Sequence, residues 1–318
     1  MRLLVTGASG FFGSNLIDLL LDRSADGVAP PAPPPDELHT VQRRPGVDRT
    51  GVVGHQVDLF DRSAVTELID RIRPTHLCHM AWLGPEAEDR YRSPENQRWA
   101  EASKHLFDAF DRAGGERLVH LGSCIEYGNS ASGKRVEGQP LVPDTAYGAA
   151  KAELSEHLLA LKSDLSIAIA RPFFAYGPHE QPDRLVPSLI LALHQGRTID
   201  LTEGRQRRDY IDGRDVAAAL IALLRADSSG PFNIGSGVAV EVRSIAEQLG
   251  RIAGRPELLN FGGRPEGADT AAEILADIDR ITAATGWTPT IGLERGLQET
   301  TDWWLRRIDT PSSGGGNR

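Results

Sequence analysis

The chain has 318 residues, 40% of them hydrophobic and 25% charged, a mixture close to that of ordinary soluble globular proteins and long enough to bury a core without disulfides or metal staples. Thirty-five Lys and Arg against 44 Asp and Glu leave a net charge of −9, which argues against a general binder of nucleic acid or anionic membranes. Two cysteines, Cys78 and Cys124, make no disulfide framework and fit a reducing cytoplasm, and the longest apolar run, Val216 to Leu224, is far short of the ~20 residues of a membrane span.

In chain order the elements alternate. Arg2-Leu3-Leu4-Val5-Thr6 is too short an apolar stretch for a signal segment and reads as a buried strand. A Gly-rich turn and an apolar helix near 11–22 follow, then a proline-rich stretch ending at Pro35 that suits only a surface loop. Strands are expected near 38–42, 52–57, 75–80, 117–122 and 165–171, with helices near 61–73, 95–113 and 145–162. Strands separated by helices of this length predict a parallel α/β sheet, doubly wound, with helices on both faces. The pattern then loosens. Helices are expected near 185–195, 214–226, 241–254 and 293–308, with a strand at 231–234 and a flexible Gly-rich tail over 309–318.

Thr6-Gly7-Ala8-Ser9-Gly10-Phe11-Phe12-Gly13 sits between the first strand and the first helix. Glycine is needed there where φ is positive or where backbone must approach a phosphate, and the following helix N-terminus offers free N–H groups to a pyrophosphate. The glycine spacing (Gly-x-x-Gly-x-x-Gly) and the chain length resemble those of the extended, nucleotide-sugar branch of the short-chain dehydrogenase/reductases. The resemblance implies a Rossmann-type domain over 1–172 that takes back about 209–237, and a smaller C-terminal α/β substrate lobe over 173–208 and 238–308. It places Phe11, Phe12, Met80, Ala81 and Pro172 beside the three glycines as cofactor-binding residues, and Asp58-Leu59 at the adenine contact.

The second strand ends Val41-Gln42-Arg43-Arg44 with no acid for ribose hydroxyls. Arg43 and Arg44 suit a 2′-phosphate, which favours NADP(H); NAD(H) stays open, with the two arginines then solvated on the surface.

Tyr147-Gly148-Ala149-Ala150-Lys151 puts a phenol and an ammonium on one helix face, an arrangement expected to lower the phenol's pKa for carbonyl/alcohol interconversion. Gly122-Ser123-Cys124-Ile125-Glu126-Tyr127-Gly128 ends the preceding strand and supplies a hydroxyl. Ser123, Tyr147 and Lys151 thus resemble the family's catalytic triad, and Asn96 its structural asparagine. Arg171-Pro172-Phe173-Phe174-Ala175-Tyr176-Gly177-Pro178, Arg208-Asp209-Tyr210-Ile211, Asn233-Ile234-Gly235 and Arg264-Pro265 resemble further family blocks. They imply Arg208 and Arg264 as contacts for a substrate diphosphate, with Cys124, His179 and Arg184 as other substrate contacts. Phe174 stands where the family has Asn, which implies an altered substrate pose.

The acid pair that follows the Ser/Thr position in the family's dehydratases is replaced by Cys124-Ile125, which argues against 4,6-dehydration; decarboxylases, with Glu at the Ile125 position, fit poorly too. His179 falls where fucose synthases carry a catalytic His, but Cys124 is one residue away from the position of their Cys. The segments resemble most those of 4-ketoreductases of deoxysugar pathways. The expected function is NAD(P)H-dependent reduction at C4 of a nucleotide-linked 4-keto-6-deoxyhexose. A nucleotide-sugar epimerase holding NAD and a non-catalytic NADP sensor are the alternatives. No metal site is expected: His76 and Cys78 share one strand face and His79 the other. Resemblance implies a homodimer through the helices at 95–113 and 145–162.

Overall fold

The computed structural model describes residues 1–21, 33–43, 49–82, 91–129, 132–266 and 271–309. Most of the proline-rich stretch, Arg44 and the Gly-rich tail lie outside them. The strands are β1 (Arg2–Thr6), β2 (Glu37–Gln42), β3 (Val53–Gln56), β4 (His76–His79), β5 (Arg117–Leu121), β6 (Gly133–Arg135), β7 (Ser166–Pro172), β8 (Phe174–Tyr176), β9 (Ile199–Leu201), β10 (Arg207–Asp212), β11 (Gly230–Ile234), β12 (Ala239–Glu241), β13 (Leu259–Phe261) and β14 (Glu273–Ala276). The α-helices are α1 (Phe11–Leu20), α2 (Arg62–Ile72), α3 (Glu95–Arg112), α4 (Ala146–Ala160), α5 (Leu185–His194), α6 (Gly213–Arg225), α7 (Val242–Ile252), α8 (Asp279–Thr285) and α9 (Leu293–Asp309).

Seven strands form one parallel sheet in the order β11-β7-β5-β4-β1-β2-β3. Both faces are covered, as the chain's alternation predicts. Leu3 and Val5 point into one core with Leu16 and Ile17 of α1 and Val216 and Leu220 of α6. Leu4, one residue out of phase, joins Leu68 of α2, Phe107 of α3 and Leu154 of α4 on the other face. Local chemistry sets the helix starts. The Asp61 carboxylate accepts from the N–H groups of Ser63 and Ala64, and the Thr145 hydroxyl from that of Gly148. The sheet order reverses direction at β1, between β2 and β4, and a crevice opens there at the carboxyl ends of the strands.

The second half adds what periodicity did not reveal. Strands β12-β10-β14-β6 form a smaller sheet, with β8 pairing β10, and β13 pairs β9. Strand β10 lies in this smaller sheet, whereas α6 packs on, and β11 joins, the seven-stranded one. Helices α5, α7 and α9 enclose a third core of Leu189, Ile190, Ile245, Leu249 and Leu297.

One buried carboxylate holds the smaller sheet to its neighbours. Asp209 of β10, with no exposed surface, accepts from Ser236 N–H (2.7 Å), Ser236 Oγ (2.6 Å), Gly237 N–H (3.0 Å) and Ala276 N–H of β14 (3.1 Å). Burial pushes its pKa up and these bonds oppose the rise. Asp209→Ala strands several buried donors at once, so chemical denaturation is expected to show a loss of at least about 3 kcal/mol. A loss under about 1 kcal/mol would show that the cluster contributes little.

Candidate active site

A cleft of about 960 Å³ runs along the carboxyl ends of the main sheet. Its walls are the β1–α1 turn, the ends of β2, β4, β5 and β7, strand β8 and the start of α5.

The glycine turn is built by exclusion. Gly7 has φ +75°, and a Cβ there would sit 2.7 Å from the Ala81 nitrogen. A Cβ on Gly13 would lie 2.0 Å from the Gly7 carbonyl oxygen, so α1 can begin against the strand only because both are glycine. Gly10 closes the turn, its N–H donating to Gly7 C=O at 3.0 Å. No side chain caps α1 and no acid occupies its first turn, so the N–H groups there face the cleft without a competing anion. Phe11, Phe12, Met80, Ala81, Leu59 and Pro172 also line the cleft, as do Arg43 and the exposed Asp58. A narrow glycine cradle, a helix N-terminus and flanking apolar walls fit an extended dinucleotide.

Ser123, Tyr147 and Lys151 meet on the same wall. Ser123, two residues beyond β5, is extended, and its hydroxyl accepts from Ile125 N–H at 3.2 Å, starting the short 3-10 turn Cys124–Tyr127. Tyr147 and Lys151 are one turn apart on α4, which starts under the Thr145 cap, and the Tyr147 N–H donates to Tyr91 C=O at 3.1 Å. Tyr147 and Ser123 both line the cleft. The acidity of Tyr147 departs from the sequence expectation. Burial pushes the phenol well above its ordinary range. Lys151 is turned elsewhere: its ammonium donates to Leu121 C=O at 2.7 Å and lies 3.9 Å from the centre of the Trp82 ring. Burial lowers Lys151 to about 7, with Glu126 opposing.

Beneath these groups lies a charged network. The Glu126 carboxylate, with no exposed surface, accepts from Ser123 N–H (2.8 Å), Ser155 Oγ of α4 (2.7 Å) and Arg171 Nε of β7 (2.9 Å). Arg171 also donates to the Tyr127 hydroxyl (2.9 Å), which donates to Asn233 of β11 (2.8 Å). Burial raises the Glu126 pKa, against Arg171, Ser155 and the Ser123 N–H.

The expected substrate contacts separate. Cys124, Phe174 and Arg184 line the cleft. Burial pushes the Cys124 thiol up to about 12, so it stays protonated. Arg184, at the start of α5, donates to the Tyr91 hydroxyl at 3.4 Å and stands 3.9 Å from Glu180. Arg208 lies off the wall, spent on Ala271 C=O and Arg207 C=O, each at 2.8 Å, with Phe174 5.6 Å away over its guanidinium. His179 (φ +69°) is docked on α1 by a 3.0 Å contact with Asp18 and packs edge-on against Trp303. Arg264 is exposed and does not line the cleft. Asn96 takes the indole N–H of Trp82 at 2.8 Å. Sequence reasoning passed over Trp82, Tyr91, Tyr210 and Glu180 on the wall, and gave Glu126 no role although it stands inside the Ser123 motif. Among the described residues no group of three or more His, Cys, Asp or Glu is placed to hold a metal ion, and no helix is long and apolar enough to cross a membrane.

A model of the NAD dependent epimerase/dehydratase family matches residues 3–235. The chain belongs to that family. It is 30% identical to the low-salt glycan biosynthesis protein Agl12 of Haloferax volcanii, over 96% of this chain and 99% of that protein. It is 26% identical to a dTDP-glucose 4,6-dehydratase of Actinoplanes sp., over 96% of this chain and 98% of the relative. Among solved structures it resembles MoeE5 in complex with UDP-glucose and NAD, with TM-score 0.78, 26% identity and coverage of 98% and 100% of the two chains. The chain is therefore an extended short-chain dehydrogenase/reductase, an NAD(P)-dependent oxidoreductase or epimerase of the nucleotide-sugar-modifying family.

The buried lysine gives a test independent of substrate. Lys151 titrates near 7 when folded and near 10.4 when unfolded, so between those values the unfolded chain holds a proton the folded chain has released. Stability then rises with pH, by up to about 1.4 kcal/mol per unit. Urea denaturation of the wild type and Lys151→Met at pH 7.5, 8.5 and 9.5 is expected to show the wild type gaining on the variant at each step. A gap independent of pH would mean that Lys151 is charged throughout.

Proposed function

We propose that the protein reduces a nucleotide-activated 4-keto-6-deoxy sugar at C4, with NADP(H) preferred. The observation that carries this reading is the meeting of Tyr147, Ser123 and Lys151 on one cleft wall where Cys124 and Ile125 offer no carboxylate. A phenol held in its protonated form suits a step in which a carbonyl oxygen gains a proton. The dinucleotide, when bound, supplies the hydride. Tyr147 gives its proton to the oxygen as negative charge develops, and the Ser123 hydroxyl donates a hydrogen bond to the same oxygen. Lys151 holds the cofactor ribose, and a lysine titrating near 7 can pass a proton back toward Tyr147. We assign the substrate's phosphate oxygens to Arg184, a reading supported by its place on the cleft, which neither Arg208 nor Arg264 lines. NADP(H) is supported by Arg43 on the cleft and by the lack of an acid at the end of β2.

A nucleotide-sugar epimerase is the second reading. It is favoured by the likeness to MoeE5, whose structure holds UDP-glucose with NAD. It would require hydride to leave and return with no net redox change.

Tyr147→Phe separates the proton donor from the binding site. The variant is expected to bind NADPH as the wild type does, by fluorescence titration, and to lose at least a hundredfold in turnover. Turnover within threefold of wild type would remove Tyr147 from the mechanism.

A further inference from the structure

The ammonium of Lys151 has an unusual pair of neighbours. Its residue is only 2% exposed, with the Leu121 carbonyl on one side and the face of the Trp82 indole on another. Trp82 is itself fixed. Its indole N–H donates to Asn96 Oδ1 at 2.8 Å, and Asn96 is anchored by its amide on Ser93 C=O at 2.9 Å. The same indole meets the Tyr147 ring edge-on, centroids 6.2 Å apart at 83°, and lines the cleft. One aromatic side chain thus touches both members of the Tyr-x-x-x-Lys pair, and a buried asparagine sets its orientation.

We propose that Trp82, held by Asn96, is the positioning residue of the active site: its ring seals the Lys151 ammonium from water and holds it against the Leu121 carbonyl, within reach of the cleft. A ring face attracts an ammonium electrostatically without supplying a proton acceptor, so it confines the charge yet leaves the remaining N–H donors for a ligand. A water-filled site would spend those donors on solvent and leave the four-carbon stem free to sample other rotamers. The tie also accounts for Asn96, whose amide acts on the lysine through the indole.

The inference rests on reading Lys151 and Tyr147 as the catalytic pair, so the test keeps the two apart. The chain has four lysines, so acetylation by a water-soluble reagent followed by mass spectrometry reads each separately. In the wild type, Lys151 is expected to react at least tenfold more slowly than Lys134, whose side chain is 51% exposed. Trp82→Leu is expected to remove most of that protection and to lower kcat at least tenfold, with the KM for the sugar nucleotide within twofold of wild type. Trp82→Phe keeps a ring face and is expected to restore most of the protection and most of kcat. Asn96→Ala leaves the indole present but untied and is expected to fall between them. It carries the test should Trp82→Leu not fold. Unchanged Lys151 protection and kcat in both Trp82→Leu and Asn96→Ala would overturn the proposal. Full activity in Lys151→Met would instead overturn the catalytic reading on which it stands, whatever the acetylation shows.

Discussion

The active site hangs on one buried carboxylate. Glu126 and Arg171 are 0% and 1% exposed, and burying two charges is worthwhile only when each is matched by hydrogen bonds. Here they are. One oxygen of Glu126 takes the backbone N–H of Ser123; the other takes Ser155 of α4 and Arg171 of β7. The three elements that carry the proposed chemistry, the end of β5, helix α4 and the end of β7, therefore share one anion. Arg171 extends the tie through Tyr127 to Asn233 on β11. Removing one partner of such a pair leaves an unpaired buried charge, at about 3–5 kcal/mol, which is why neither can be exchanged alone. Gly122 belongs to the same arrangement: a Cβ there would stand 2.4 Å from a Glu126 oxygen.

That anion explains why Lys151 can be buried at all. Its charge is opposed by desolvation, and Glu126 supplies the largest opposing pull toward the charged form. The buried histidines of the same sheet face contribute no charge. His79 is lowered to about 3 by burial, and His120, stacked on it at 5.6 Å, is lowered well below its ordinary range. The proton-bearing groups near neutral pH are therefore few. Burial holds the Tyr147 phenol well above its ordinary range and lowers Lys151 to about 7. Toward Phe174, Tyr176 and Tyr210 the wall is aromatic, while Glu180, Gln181, Asp183 and Arg184 make it polar at the approach to α5.

The main sheet was legible because its strands and helices are long enough to show a period. Leu3, Leu4 and Val5 are continuous because both faces are covered, and Asp61 and Thr145 mark helix starts by their own chemistry. The smaller sheet was not. Strands β6, β8, β9, β12 and β13 have three residues each, too few to display an alternation, and β14 pairs with β6 across 141 residues of sequence at Ile274 and Gly133. In the site, Ser123, Tyr147 and Lys151 were readable because their spacing and their neighbouring elements are local. The Tyr147 pKa, Arg208 and His179 were not, because a motif fixes a position along the chain and not a side chain's direction. Arg208 turns to carbonyl oxygens under Phe174, and His179 turns to Asp18. Trp82 carries no motif of its own; only its contact with Lys151 reveals it.

The most direct measurement is absorbance at 340 nm with NADPH, then NADH, and enzymatically prepared dTDP-, CDP- and GDP-4-keto-6-deoxyhexoses. The account predicts stoichiometric oxidation of NADPH with one of these sugars, faster than that of NADH. An unchanged absorbance while NMR shows the sugar converted to a stereoisomer would contradict the reductase and leave the epimerase.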